Sequence, residues 1–480
     1  MSTLGELIVG LDYRVLRFRD VPIIGIGYHS GRIKSGEIFI AMRGERFDSH
    51  RFIAEAVKNG AVAVVVNEEV PFDLPQIVTD DPRKVMAELA VRLYRPYLDR
   101  ITLIGITGTN GKTTTSYLIR AILRSAGLTC GLIGSVEYDD GISITKAHHT
   151  TPEIIDLLDL IKKMVENGLS YAVIEVTSHG LKLNRVKGLP FPIRIFTNIS
   201  RDHLDFHKDF EDYKKTKLSF FIGLEKGTTA IVNIDDPLGR EIVQTTEARV
   251  VTYGIGRGDF RAGDIQTTDK DLRFLIIEKE NSIPVRLNLL GQHNLYNGLA
   301  AFITGRSVGI NDQDLVRGLG SVSIIPGRLM PVKNDQDLKI YVDFAHTPDA
   351  LRQVLISIRA ITQGRVIVIF GCGGDRDRGK RPQMGKIATE LADLAIVTSD
   401  NPRGEEPLAI INEIESGIEK DNYLVEPDRR KAIMKGIELM KRDDLLLIAG
   451  KGHEEYQLVR DRRVPFNDAR VVEEVLRCSS

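Results

Sequence analysis

Apolar and polar positions fall into distinct textures along the chain. Up to about residue 97, the strand-like runs "EIFIAM" and "AVAVVV" flank one helical stretch, "DSHRFIAEAVKNG". That pattern predicts a small α/β unit ending near "YRPYLDR", where proline and charge interrupt it, with a boundary near residue 98. From "ITLIGIT" onward, the runs "YAVIEVT", "IRIFTNI" and "AIVNI" are separated by helix-length segments, as expected of buried parallel strands joined by crossover helices. Around residues 260 to 290 the pattern becomes polar/apolar alternation, "DLRFLIIEKENSIPVRLNLLG", which predicts an antiparallel hairpin region before a helix over "HNLYNGLAAFITG". "IIPGRLM" reads as a linker, and beyond it one design recurs: an apolar strand running into a polar loop, in "IYVDFAHTPDA", "VIVIFGCGGDRDRGKRP", "LAIVTSDNPRGEEP" and "LLLIAGKGHEEY". In an open parallel sheet, loops after the carboxyl ends of strands share one edge, so these four are expected to line one crevice. The expected fold is α/β in three domains: a small N-terminal α/β domain (1–97), a central P-loop αβα domain with a mainly parallel sheet (98–327) and a C-terminal Rossmann-like domain (328–480).

Composition narrows the class of ligand. The chain has 480 residues, 42% of them hydrophobic and 27% charged, enough for several cores. Lys plus Arg number 65 against 66 acids, so nothing marks a general binder of nucleic acid, and any anion must be held by a local site. Three scattered cysteines, Cys130, Cys372 and Cys478, form neither a disulfide framework nor a zinc-ligand spacing. The opening "MSTLGELIVGLDYR" lacks a basic start, and the longest apolar runs fall far short of the ~18 residues of a membrane span. A cytoplasmic protein without membrane association is expected.

The chemistry begins at "GITGTNGKTTT", between an apolar strand and a helix whose Leu118, Ile122 and Leu123 follow helical spacing. Gly108, Thr109, Asn110 and Gly111 form a turn whose amides can face phosphate, at a helix N-terminus that adds positive potential. Lys112 would neutralise the terminal phosphates, Thr113 would ligate Mg²⁺ and Thr114 would complete the cradle, so ATP is the natural occupant. The strict pattern wants glycine five residues before Gly111, where this chain has Ile106. Glu175, ending the strand "YAVIE", is a sensible magnesium ligand, with a capping or ion-pair role at the strand end as the alternative on residue type.

The shortened loop TGTNGKT resembles the Mur ligase family and its relative folylpolyglutamate synthase. The resemblance continues over essentially the whole chain through "TTPE", "EVTSHGL", "NISRDHLDFH", "GQHNLYNGLAA", "PGR", "DFAHTP", "GDRDRGKRP" and "GKGHE". It implies an ATP-dependent amide ligase that adds the third amino acid to UDP-MurNAc-L-Ala-D-Glu through an acyl phosphate. It further implies catalytic roles for Lys112, Glu175, His203 and Lys217, with Thr113, Glu175, His203 and Lys217 as metal ligands. Protonated lysine cannot ligate Mg²⁺; the family's lysine at the position of Lys217 carries a CO₂-derived carbamate, which is anionic and suits a hard cation. Asn294 and Asn297, one helical turn apart, could read adenine with their amides, and Arg328 and Asp343 are carried over as ATP contacts made on domain closure.

For the nucleotide-sugar peptide, the resemblance assigns Ser30, Thr150, Thr151, Thr177 and Arg185. Ser30 stands in "HSGR", with His29 and Gly31 where the family motif has aspartate and arginine. Thr177 replaces a frequent serine and keeps the hydroxyl. Arg376, Asp400, Asn401, Pro402, Arg403, Gly450 and Glu454 form the expected amino-acid site. Two guanidinium forks opposite two acids suit an amino acid charged at both ends. In the family Asp-Asn-Pro-Arg accompanies meso-diaminopimelate, whereas lysine-adding enzymes lack that arginine. Lysine addition and folylpolyglutamate synthesis are the nearer alternatives; a P-loop kinase and a non-catalytic ATP-gated module are the alternatives from other classes. A monomer is expected.

Overall fold

A computed structural model describes residues 2–44, 48–224 and 226–478. The chain divides into two compact units, Met1–Gly105 with Thr129–Pro192, and Ile106–Leu128 with Ile193–Ser480.

In the first unit, a five-stranded sheet has the order Arg14–Leu16, Gln76–Val78, Ala63–Val66, Glu37–Ile40, Gly25–Gly27. Its last four strands are parallel, and Arg14–Leu16 closes one edge antiparallel. The expected helix over residues 48–60 is a 3₁₀ turn, Ser49–Phe52, running into Ile53–Lys58. Three helices escaped the apolar pattern: Leu4–Ile8, Pro82–Leu93 and Arg95–Leu98. Pro82–Leu93 carries two start signals, since Asp81 caps the amide of Lys84 and Pro82 occupies the first turn. "YRPYLDR" is therefore a helical turn, with proline where a first turn tolerates it. The same unit pairs Cys130–Ile133 in parallel with Tyr171–Glu175.

In the second unit, Ile193–Phe196, Thr229–Asn233 and Arg249–Ile255 run parallel, and Phe260–Thr267, Leu272–Glu278 and Asn281–Leu287 form an antiparallel meander where the alternating pattern predicted it. The helix Lys112–Ser125 packs on His293–Ser307 and Asp312–Ser321. The C-terminal sheet has the order Met330–Pro331, Lys339–Asp343, Leu445–Ala449, Val366–Phe370, Leu394–Val397, Tyr423–Val425, parallel except for its first strand. Successive residues of these strands enter two cores. Val366, Val368 and Phe370 join Leu351, Met384 and Ile411 on one face; Ile367 and Ile369 join Ile433 and Val472 on the other. Cover on both faces is what an unbroken apolar run requires. "IIPGRLM" is woven into this sheet: Ile325 and Leu329 are buried, and the Leu329 amide donates to Asp343 Oδ2 at 2.6 Å.

No helix among the described residues is long and apolar enough to cross a membrane.

Candidate active site

The phosphate loop follows the strand end at Thr107. Lys112 starts the helix, and its Nζ donates to the carbonyls of Gly108 and Thr109, each at 2.9 Å. Gly111 has φ 86°, and a Cβ there would come within 2.4 Å of Asn297 Oδ1, so both the conformation and the close approach call for glycine. Thr109 Oγ1 receives the Ser200 amide and meets the Tyr213 hydroxyl, and Asn110 receives Asn198 and Thr197 side chains on its carbonyl. Thr113 Oγ1 accepts a hydrogen bond from Arg328 Nη2 at 3.1 Å, and the Arg328 guanidinium lies 4.7 Å above the Phe344 ring.

Lys217 comes from the helix Phe210–Leu218 and is 1% exposed. Its Nζ donates to Gly108 O at 2.8 Å, the same carbonyl that Lys112 uses. Burial, reinforced by Lys112, pushes its pKa well below the ordinary lysine value. His203 has φ 56°, an uncommon conformation for a non-glycine residue, and its ring nitrogen Nε2 lies 3.3 Å from the buried Asp202. Among the described residues, no three His, Cys, Asp or Glu side chains form a ready-made metal cage. Magnesium held partly by nucleotide phosphates needs only one or two protein oxygens, so a hydroxyl and a carboxylate suit it. The Lys217 amine as it stands does not; its carbamate would.

Asn294 and Asn297 are both buried and linked, Asn297 Nδ2 donating to Asn294 Oδ1 at 2.7 Å. Thr115 Oγ1 donates to Asn297 Oδ1, which makes Asn297 a brace of the phosphate-loop helix. Asn294 instead lines a cleft of about 360 Å³ with Thr114, Leu289, Arg328 and Tyr341. Asp343 faces inward: its carboxylate accepts the amides of Leu329 and Ala345, and burial raises its pKa against the pull of Arg328. It holds the linker turn on which Arg328 sits.

In the first unit, four of the expected substrate residues meet the end of the strand Tyr171–Glu175. Thr151 Oγ1 donates to Glu175 O at 2.7 Å and lies 3.0 Å from Thr177 Oγ1, and Thr150 Oγ1 lies 3.1 Å from Ser135 Oγ. The fully buried Glu175 carboxylate accepts both the amide and the hydroxyl of Ser135. Arg185 donates to Thr151 O and to Glu153, and Glu153 also takes Arg83. Ser30 lies in the 3₁₀ turn Ser30–Arg32, its hydroxyl donating to Glu55 at 2.7 Å.

The C-terminal strands end level with one another, Asp343 beside Ala449 and Phe370 beside Val397, so their loops converge on one edge as expected. Gly450 has φ 115°, and a Cβ there would stand 2.4 Å from Asp400 Oδ2. Glu454 Oε2 accepts from Lys451 Nζ at 2.7 Å and from Asn401 Nδ2 at 2.9 Å. Arg403 has φ 49°, and its Nη1 donates to the carbonyls of Gly374 and Asn401. Among the described residues it forms no ion pair. Desolvation first, then the neighbouring Arg376, lowers its pKa against the pull of Asp400 and Glu454. Arg376 is about half exposed, with Nη1 3.5 Å from Asp205 Oδ2.

Sequence reasoning passed over the residues that hold this edge together. The fully buried Lys451 was inside the quoted "GKGHE" but received no role; it pins Asn401 and Glu454. Gln457 Nε2 donates to Asp400 O, and the Arg403 amide donates to Leu458 O, so the strand Tyr456–Val459 clamps the loop. Arg429 and Asp468, both fully buried, form a bidentate pair whose guanidinium also bonds Ala449 O beneath the crevice. A buried arginine without its acid is costly, so the pairing itself is the signal, and it is visible only in three dimensions.

Comparison with known proteins places this chain in a family. Residues 22–106 match the Mur ligase family catalytic domain, 106–305 the Mur ligase middle domain and 327–452 the Mur ligase glutamate ligase domain. A UDP-N-acetylmuramoyl-L-alanyl-D-glutamate–2,6-diaminopimelate ligase of Clostridium perfringens is 41% identical over 98% of this chain and 99% of its own, and one from Aquifex aeolicus is 42% identical over 97% and 96%. A solved structure of a ligase of that name superposes with a TM-score of 0.70 at 31% identity, covering 100% of this chain and 99% of its own. With its shortened phosphate loop, its three matched regions and its full-length relatives, the chain belongs to the Mur ligase family.

Proposed function

We propose that this chain is the ATP-dependent amide ligase that attaches meso-diaminopimelate to the D-glutamate side-chain carboxyl of UDP-MurNAc-L-Ala-D-Glu, in cytoplasmic peptidoglycan precursor synthesis. One observation carries the choice of amino acid: Arg403 is half-buried within the field of Asp375, Asp400 and Glu454, yet donates only to backbone carbonyls. A desolvated guanidinium without a carboxylate partner favours binding an anion there. Diaminopimelate is lysine with one further carboxylate. Asp400 and Glu454 offer the acids for its ammonium groups, and Arg376 offers a second fork.

In the reaction, the glutamate carboxylate oxygen attacks the γ-phosphorus of ATP and ADP leaves. The diaminopimelate amine then attacks the acyl carbon, loses a proton and expels inorganic phosphate. Lys112 and the amides of Gly108 to Gly111 hold the phosphates and offset charge as two anions approach. The family resemblance assigns Mg²⁺ to Thr113, Glu175, His203 and Lys217, and the ion would supply further charge neutralisation to phosphoryl transfer. Lys217 would do so as a carbamate. CO₂ reacts with neutral amine, and the burial that lowers the pKa of Lys217 favours that form. Thr150, Thr151, Thr177 and Arg185 would orient the muramoyl peptide, and Ser30 the uridine end. Asn294 would face adenine from the cleft it lines with Arg328. The chain acts as a monomer in this reading.

The test is ADP release with UDP-MurNAc-L-Ala-D-Glu and each amino acid in turn. Release with meso-diaminopimelate far above that with L-lysine or L-glutamate is expected. Release without any amino acid, or a stable phosphorylated product, would point to a hydrolase or kinase instead.

A further inference from the structure

Arg381 is a large, fully buried cation that the reaction does not use. It stands in the helix Lys380–Leu391, and its side chain is 0% exposed. Its Nη1 and Nη2 grip Glu405 bidentately, at 2.8 and 2.7 Å, and Nη1 also bonds Glu413 at 2.8 Å. Nη2 reaches Gly373 O at 3.2 Å, at the root of the loop that carries Arg376.

Glu405 lies two residues beyond Arg403 and serves both loops. Its Oε1 also accepts the Asp375 amide at 2.6 Å, and Asp375 Oδ2 accepts the Gly404 amide at 3.0 Å. Arg403 then closes the circuit by donating to Gly374 O. The chain of bonds runs Arg381, Glu405, Asp375, Gly404 and ties the Arg376 loop to the Arg403 loop at adjoining residues. Neither loop can move without stretching a charge-assisted bond in a partly desolvated setting.

We infer that Arg381 and Glu405 are a positioning pair that sets the spacing of the Arg376 and Arg403 guanidinium groups, and so fixes the distance between charges that an incoming amino acid must present. This rests on the proposed diaminopimelate reading of the crevice. Glu405 is the better handle, because it sits near the surface while Arg381 is sealed in. Arg381→Lys keeps the charge but removes the fork that spans both Glu405 oxygens and Glu413.

The experiment measures steady-state kinetics of the full chain with meso-diaminopimelate, ATP and UDP-MurNAc-L-Ala-D-Glu varied separately, for Glu405→Gln, Arg381→Lys and the double variant. KM for diaminopimelate should rise on the order of ten- to a hundredfold in each single variant, with kcat and the other two KM values within about twofold. The double variant should be no worse than the poorer single, since both break one circuit. Thermal unfolding of each variant accompanies the kinetics. The inference is overturned if Glu405→Gln keeps the KM for diaminopimelate, or if all three KM values worsen in step with a fallen melting temperature. If the unsubstituted chain forms no amide with diaminopimelate, the proposed function fails first, and that result is separate from the behaviour of the variants.

Discussion

In the phosphate loop, Lys112, Lys217 and Arg328 gather around carbonyls and hydroxyls of one short segment; in the C-terminal crevice, Arg376 and Arg403 are interleaved with Asp375, Asp400, Glu405 and Glu454. The first arrangement brings three cations onto one short segment and suits a polyanion. The second alternates signs at fixed spacing and suits a zwitterion with several charged ends. The difference also shows in what holds each region. The phosphate loop is braced by the neutral side chains of Asn198, Thr197 and Asn297, while the crevice is braced by fully buried cations, Arg381, Arg429 and Lys451.

Four substitutions break or sharpen that contrast. The largest effect is expected at Lys217→Ala, which removes a buried group from beside the phosphate loop: turnover should fall on the order of a hundred- to a thousandfold in an ADP-release assay. Bicarbonate should leave that variant unaffected. Arg403→Ala comes next. Losing one member of a desolvated charge pair costs roughly 2 to 5 kcal/mol, so kcat/KM for diaminopimelate should drop by on the order of two decades or more while KM for ATP holds.

Asn297→Ala tests the brace on the phosphate loop. It strands Thr115 Oγ1 and Asn294 Oδ1, and at roughly 1 to 3 kcal/mol for a buried unsatisfied group, KM for ATP should rise about tenfold, with diaminopimelate KM unchanged. The smallest effect concerns acid stability. The Arg381 fork, with the Asp375 amide, holds Glu405 down to about 2 from 4.5, against its partial burial. A depressed carboxyl pKa contributes stability that is fully present above 4.5 and is lost as pH falls toward 2. Urea midpoints measured across that window should therefore fall more steeply for the unsubstituted chain than for Glu405→Gln.

The contrast also explains what could be read from the sequence. The phosphate loop was legible because its chemistry is contiguous: Gly108 to Gly111 link a strand to a helix of unambiguous apolar spacing, and Lys112 to Thr114 open that helix. The parallel C-terminal sheet was legible because strands covered on both faces leave unbroken apolar runs. The convergence of its loops then followed from topology. Arg381, Glu405 and Gln457 were not legible as bracing residues, because their meaning lies in partners far along the chain or across a sheet edge, and a charged residue in a polar stretch ordinarily reads as solvated. Asn297 was legible as polar and well placed, but not as a brace, since its spacing to Asn294 fits either use. The helix Pro82–Leu93 was missed although Asp81 and Pro82 announced it, because its apolar positions were overshadowed by the charges between them.

The most direct measurement is a competition. The unsubstituted chain and Arg403→Ala are each given ATP, limiting UDP-MurNAc-L-Ala-D-Glu and equal concentrations of meso-diaminopimelate and L-lysine, and the two products are counted by mass. Almost only the diaminopimelate product is expected from the unsubstituted chain, and a ratio that collapses toward parity is expected in the variant. Comparable amounts of both products from the unsubstituted chain, or an unchanged ratio in Arg403→Ala, would contradict it.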